Sequence, residues 1–191
     1  NDALPSTTWL RIKRQRMLRS LAIQPMQKIV AAISLLMPDY LIRMILKMVG
    51  LLVIMAQIGC FIPADKGSII SIRKMIQARI GASDSLHRNM STFMQEMIEA
   101  QSIVAKSNRS TLVLIDELGR GTSTQDGVGI AWGISYHILE KNKAMCIFAT
   151  HFHELTKLKQ KFKCFKSYRV SVHKNGNELV MDYKIVEGKA K

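Results

Sequence analysis

The chain has 191 residues, 48% of them hydrophobic, which is enough for one domain with a real core, or two small ones. Its 28 Lys and Arg against 14 Asp and Glu leave a net charge of +14, a balance that suits a nucleic acid, a nucleotide or another anionic partner as well as a solvated basic surface. The three cysteines, Cys60, Cys146 and Cys164, have no C-x-x-C spacing, so neither a disulfide framework nor a redox pair is expected and they read as reduced thiols.

In chain order, IKRQRMLRSLAIQPMQKIVAAISLLM predicts a basic amphipathic helix broken near Pro25, which runs on into PDYLIRMILKM. The uncharged run 48–64 is interrupted by Gln57 and falls short of the ~20 apolar residues that span a bilayer. It predicts a buried helix over 48–58, and no membrane partner. GCFIPADKG reads as a loop, SIISIRKMIQARIG holds a short strand, and ASDSLHRNMS is an exposed polar loop. STFMQEMIEAQSIVAK predicts a helix with Ser91-Thr92 and Glu96 near its start. Met94, Met97, Ile98, Ile103 and Val104 are expected on its buried face. TLVLI is a continuous apolar run, the pattern of a strand buried on both faces. A helix over 126–141, a second buried strand (AMCIFAT) and a basic helix (HELTKLKQKF) follow. SYRVSVHKNGNELVMDYKI holds two alternating runs joined through Asn175-Gly176, a hairpin pattern. Strand, helix and strand with buried central strands predict an α/β domain with a parallel sheet and an antiparallel addition at its C-terminal end.

The chemistry concentrates in TLVLIDELGRGTSTQDG. A buried strand ends at two adjacent carboxylates, Asp116 and Glu117, and α/β proteins bind ligands at the carboxyl ends of such strands. Neighbouring strand residues point to opposite faces, so a bend there lets the two acids do different work. In nucleotide hydrolases one acid positions Mg²⁺ and another orients the attacking water. Gly119, Arg120, Gly121, Thr122, Ser123 and Thr124 add flexible backbone, three hydroxyls and a guanidinium. The second strand ends in Ala149-Thr150-His151, which places His151 at the same crevice. HFHEL is not a zinc motif, because Lys157 stands where H-E-x-x-H requires histidine. Lys157, Lys159, Lys161, Lys163 and Lys166 read as a solvated basic face.

IDELGRGTSTQDG, with FATHFHEL downstream and ARIGASDSL, STFMQEM and VIMAQIGCFIPA upstream, closely resembles the C-terminal ATPase domain of the MutS proteins of DNA mismatch repair. DELGRGTST with FATHFHEL is most like the eukaryotic second-homologue branch. The resemblance implies an ABC-type P-loop ATPase-like α/β fold with a mostly parallel central sheet, here incomplete. By resemblance, Asp116 is the Walker B acid that holds Mg²⁺, Glu117 activates water, and His151 is the switch histidine. Gly119, Arg120, Gly121, Thr122, Ser123 and Thr124 match the loop that signals across the ATPase dimer. Ser91 matches the residue that reaches the γ-phosphate of the partner's ATP, and Tyr183 falls where the family sets a ring against adenine. The implied cofactors are ATP and Mg²⁺. The implied partners are a second MutS homologue subunit, mismatched double-stranded DNA through domains absent here, and a MutL-type protein, with the nucleus as the compartment. An ABC transporter nucleotide-binding subunit is the competing ATPase class, and DELGRGTST and THFHEL weigh against it.

One part of the family pattern is missing. MutS proteins carry a glycine-rich phosphate loop ending in Lys-Ser/Thr before the helix matched by VGLLVIMAQ, and no glycine stands between Met37 and Met48 here. Interior N–H groups of an apolar helix are already used and cannot cradle phosphate. The division expected is therefore an unmatched basic and apolar segment over 1–47. A degenerate copy, a frame-shifted or mis-spliced stretch, or a catalytically impaired subunit that acts only through dimer contacts and supplies trans residues would give a segment of this kind. A partial MutS-type ATPase domain follows over 48–191, without the Walker A loop and the C-terminal dimerisation helices.

Overall fold

The computed structural model describes residues 30–34, 39–65, 68–81, 92–175 and 178–188. In chain order they form β1 (Val30–Ser34), α1 (Asp39–Gln57), β2 (Met75–Arg79), α2 (Thr92–Lys106), β3 (Thr111–Asp116) and α3 (Thr124–His137). A π-helical turn (Ile138–Asn142), β4 (Met145–Ala149), a 3-10 segment (His153–Lys157), the single turn α4 (Leu158–Lys161), β5 (Phe165–Asn175) and β6 (Glu178–Glu187) complete them. One six-stranded sheet has the order β2-β3-β4-β1-β5-β6. Its pairs are parallel except the terminal β5–β6 hairpin, so the expected α/β architecture is present.

Alternation along the central strands splits the core in two. Leu112 and Leu114 of β3 and Met145, Ile147 and Ala149 of β4 face α1, where Leu41, Ile42, Ile45, Leu46, Val49 and Val53 meet them. Those helix positions recur at three- and four-residue spacing, as one buried stripe requires. Val113, Ile115, Cys146 and Phe148 face the opposite side, against α2, α3 and Leu155 and Leu158. Burial there pushes the Cys146 thiol well above its ordinary range, whereas Cys60 is exposed. The chain leaves β1 for α1 on one face and leaves β4 for Leu155 and Leu158 on the other. Adjacent parallel strands with connections to opposite faces make a topological switch point, and beside it a crevice opens at the carboxyl ends of β2 and β3.

Several elements differ from the sequence reading. Residues 30–34, expected inside an amphipathic helix, are a strand inserted between β4 and β5, with Val30 in register with both Cys146 and Phe165. The helix expected over 48–58 begins at Asp39, so it runs unbroken across the boundary drawn between 47 and 48. The buried face of α2 is made of Glu96, Ala100 and Ile103, while Met94 and Ile98 are exposed. The helix expected over 126–141 is α-helical from Thr124 to His137 and then widens into the π turn. There Asn142 donates from Nδ2 to the carbonyls of Val104 at 2.9 Å and Ser107 at 2.8 Å, satisfying the end of α2. HELTKLKQKF gives a 3-10 segment and one α turn instead of a helix. Of its lysines, Lys161 bonds the Tyr136 hydroxyl and Lys159 pairs with Glu187, as does Lys166 of β5. The hairpin pairs Asn175 with Glu178 as expected; Gly176 and the polar loop 82–91 lie outside the described residues.

Candidate functional site at the carboxyl ends of β3 and β4

Asp116 ends β3 on the face already set by Leu112 and Leu114, so its carboxylate turns toward α1. It is 3% exposed and accepts a hydrogen bond from Nε of Arg43 at 3.0 Å. The next residue breaks the strand: Glu117 has φ 46°, a left-handed conformation rare for a residue with a long side chain. Its N–H still donates to the Ala149 carbonyl at 2.9 Å, so the bend is pinned to the end of β4. The bend carries the Glu117 carboxylate to the other side of the crevice. There Arg120 Nη1 donates to it at 2.5 Å and His151 Nδ1 lies 3.9 Å away. Sequence reasoning expected two acids with separate surroundings, and the bend at Glu117 produces that separation.

The loop after Glu117 is braced from beneath. Glu96, buried in α2, accepts the Gly119 N–H at Oε1 (2.8 Å) and pairs there with Arg79 Nη2 at 3.1 Å. Arg79 also donates to the Asp116 carbonyl at 2.8 Å and reaches Glu99 at 3.5 Å. Gly119, at φ 91°, lies against Gly127 of α3, and a Cβ on it would come within 2.7 Å of the Gly127 carbonyl oxygen. Only glycine fits there. Beyond it Arg120, Gly121, Ser123 and Thr124 are exposed and Thr122 half-exposed. Ser123 caps α3, accepting the Asp126 N–H at 3.2 Å and donating to its carboxylate at 2.7 Å. A cavity of about 240 Å³ lies between these groups, walled by Arg43, Arg79, Glu96, Glu99, Asp116, Glu117 and Arg120. The His151 ring lies beside that of Phe152, tilted by 50° with 4.2 Å between ring centres.

Asp116, Glu117, the 119–124 loop and His151 are thus brought together. Ser91 lies outside the described residues. Tyr183 belongs to β6, the edge strand separated from β3 by β4, β1 and β5, and its side chain lies outside the described residues. Arg43, Arg79, Glu96 and Glu99 wall the site without a functional role read from the sequence. Glu96 was detectable as a lone carboxylate on the Ala100–Ile103 stripe of α2, and Arg79 as the last residue of the strand beside β3, in register with Ile115.

The model of MutS domain V matches residues 43–191. The chain belongs to the MutS family. It is 47% identical over 143 residues to the DNA mismatch repair protein Msh2 of Dictyostelium discoideum and 47% over 152 residues to MSH2 of Arabidopsis thaliana. It is 49% identical over 147 residues to the DNA mismatch repair protein MutS of Clostridium kluyveri. These alignments cover 75–76% of this chain but only 15–17% of the relatives' lengths.

Membership in the MutS family makes Mg²⁺ and ATP the groups to test against the residues present. The Asp116 carboxylate already holds a guanidinium, and Arg79 stands behind its carbonyl. Two unit charges at 4 Å interact by about 4 kcal/mol at an effective dielectric of 20, and a divalent ion doubles that. A dication at Asp116 would therefore meet strong repulsion from Arg43. The sequence before Met48 offers no glycine loop to offset it. The residues present do not fit a metal-bound nucleotide in cis.

Proposed function

We propose that this chain is the ATPase-fold domain of a DNA mismatch repair MutS homologue that acts on a second MutS-type subunit through its 119–124 loop. ATP and Mg²⁺ enter in the partner's site. The observation that carries this reading is the contrast within one crevice. The signalling side is built and braced, with Glu96 under Gly119 and Ser123 capping α3, while the metal side is closed by Arg43 on Asp116. Mismatched duplex DNA is the proposed target of the assembly, reached through other domains of a MutS-type protein. A MutL-type protein is its proposed reader, and the nucleus its compartment in a eukaryote.

The retained Glu117–His151 edge favours a second reading, hydrolysis of ATP by this domain itself. Steady-state hydrolysis separates the two. Added to a full-length MutS-type partner, the chain is expected to change the partner's turnover severalfold, and Arg120→Ala and Ser91→Ala are expected to abolish that change. The chain alone is expected to stay at background. Autonomous hydrolysis by the isolated chain would overturn the first reading in favour of the second.

A further inference from the structure

We infer that Arg43 is a built-in cation that takes the place of a divalent metal ion on Asp116, so that this end of the sheet is held together without metal. Asp116 is nearly fully buried, and a buried carboxylate needs a counter-charge. The other arginines at the cavity do not supply it. Arg79 spends its guanidinium on Glu96 and Glu99 and touches Asp116 only through the backbone carbonyl; Arg120 is held by Glu117. Arg43 alone among the described residues pairs with the Asp116 carboxylate.

Its placement is fixed by packing. Leu41, Ile42, Ile45 and Leu46 flank it on α1 and are all buried against β3, β4 and their neighbours. The helix is thereby anchored on the sheet, and the guanidinium is delivered to the strand end by a rigid element. The Arg43 side chain is 37% exposed, so the arginine keeps part of its hydration while neutralising a carboxylate that has almost none. That asymmetry favours the pair over bringing in a metal ion, which would have to shed water and displace or face the guanidinium.

The test uses the chain alone, with Mg²⁺ for thermal unfolding and Mn²⁺ alone as a spin probe. The wild-type Tm is expected to be the same in EDTA and in millimolar Mg²⁺, with no Mn²⁺ bound at Asp116. Arg43→Ser should lower Tm by on the order of 4 °C, and titrated Mg²⁺ should restore it. Adding Asp116→Asn to Arg43→Ser should remove that metal response. Stoichiometric Mn²⁺ binding by the wild-type chain that is lost in Asp116→Asn would overturn the inference. So would an Arg43→Ser chain that folds and shows no response to Mg²⁺. If Arg43→Ser does not fold, the Mn²⁺ measurement on wild type and Asp116→Asn decides alone. Neither readout involves a partner subunit, so failure here is separable from failure of the proposed function.

Discussion

At the scale of single residues the site depends on Glu96. One carboxylate oxygen receives both the Gly119 N–H and the Arg79 guanidinium, and Glu96 and Arg79 are both largely buried. Removing one partner of a buried pair leaves the other charge uncompensated, which costs about 3–5 kcal/mol. Glu96→Ala is therefore expected to destabilise the chain by an amount in that range in urea unfolding, reduced to the extent that Glu99 retains Arg79. Glu96→Gln should cost less, because an amide oxygen still accepts from Gly119. A Glu96→Ala chain as stable as wild type would show that the brace under the loop is not stabilising. The sequence exposed some of these residues and hid others. Asp116 and Glu117 stand out because a polar pair abruptly ends an apolar strand. Glu96 was read as a helix-start residue, since its partners lie on a different strand and on a loop 23 residues away. Arg43 had no legible role because its partner, Asp116, is 73 residues distant.

At the scale of elements, the loop acts through the start of α3. Ser123 closes the first turn, and Asp126 lies at the positive end of the helix dipole. Ser123→Ala is expected to cost about 1 kcal/mol and Ser123→Gly only a few tenths, read from the shift of the denaturation midpoint. Equal costs for the two would mean that the cap is not the source. Among the strands, β3 and β4 were legible because each apolar run is of strand length and bounded by polar residues, Ser110 and Asp116-Glu117 for β3 and Lys143 and Thr150-His151 for β4. β1 was not. Its sequence, VAAIS, has no strand periodicity and stands in a longer apolar stretch, and such a run cannot be told from buried helix by pattern alone. Its assignment follows from pairing with β4 and β5, both more than a hundred residues onward. The segment after β4 was read as one basic helix; it is a 3-10 segment and a single α turn, with Leu155 and Leu158 both buried.

At the scale of the whole molecule, burial is uneven. The inner stripe of α1 is sealed against the sheet, but Leu51 and Ile54 on its outer side are exposed, as are Ile58, Phe61, Ile69 and Ile72 in the segment that follows. Gln57 accepts the Arg73 N–H, which ties the 68–73 segment to the end of α1. Exposed large apolar side chains in this number favour association. The net charge of +14 opposes it, but charge repulsion between exposed groups is screened beyond about 8 Å at physiological salt, whereas apolar contact is not. The isolated chain is therefore expected to self-associate with rising concentration, and more strongly at high salt than at low. Replacing Ile58, Phe61 and Ile72 together by serine should return it to a monomer without lowering Tm, since all three side chains are more than two-thirds exposed and Phe61 is fully so. Light scattering coupled to size exclusion, run at two salt concentrations, checks both parts. If the oligomers instead dissolve as salt is raised, association is electrostatic and runs through the basic surface and the carboxylates. In that case the apolar end of α1 is not what brings the copies together.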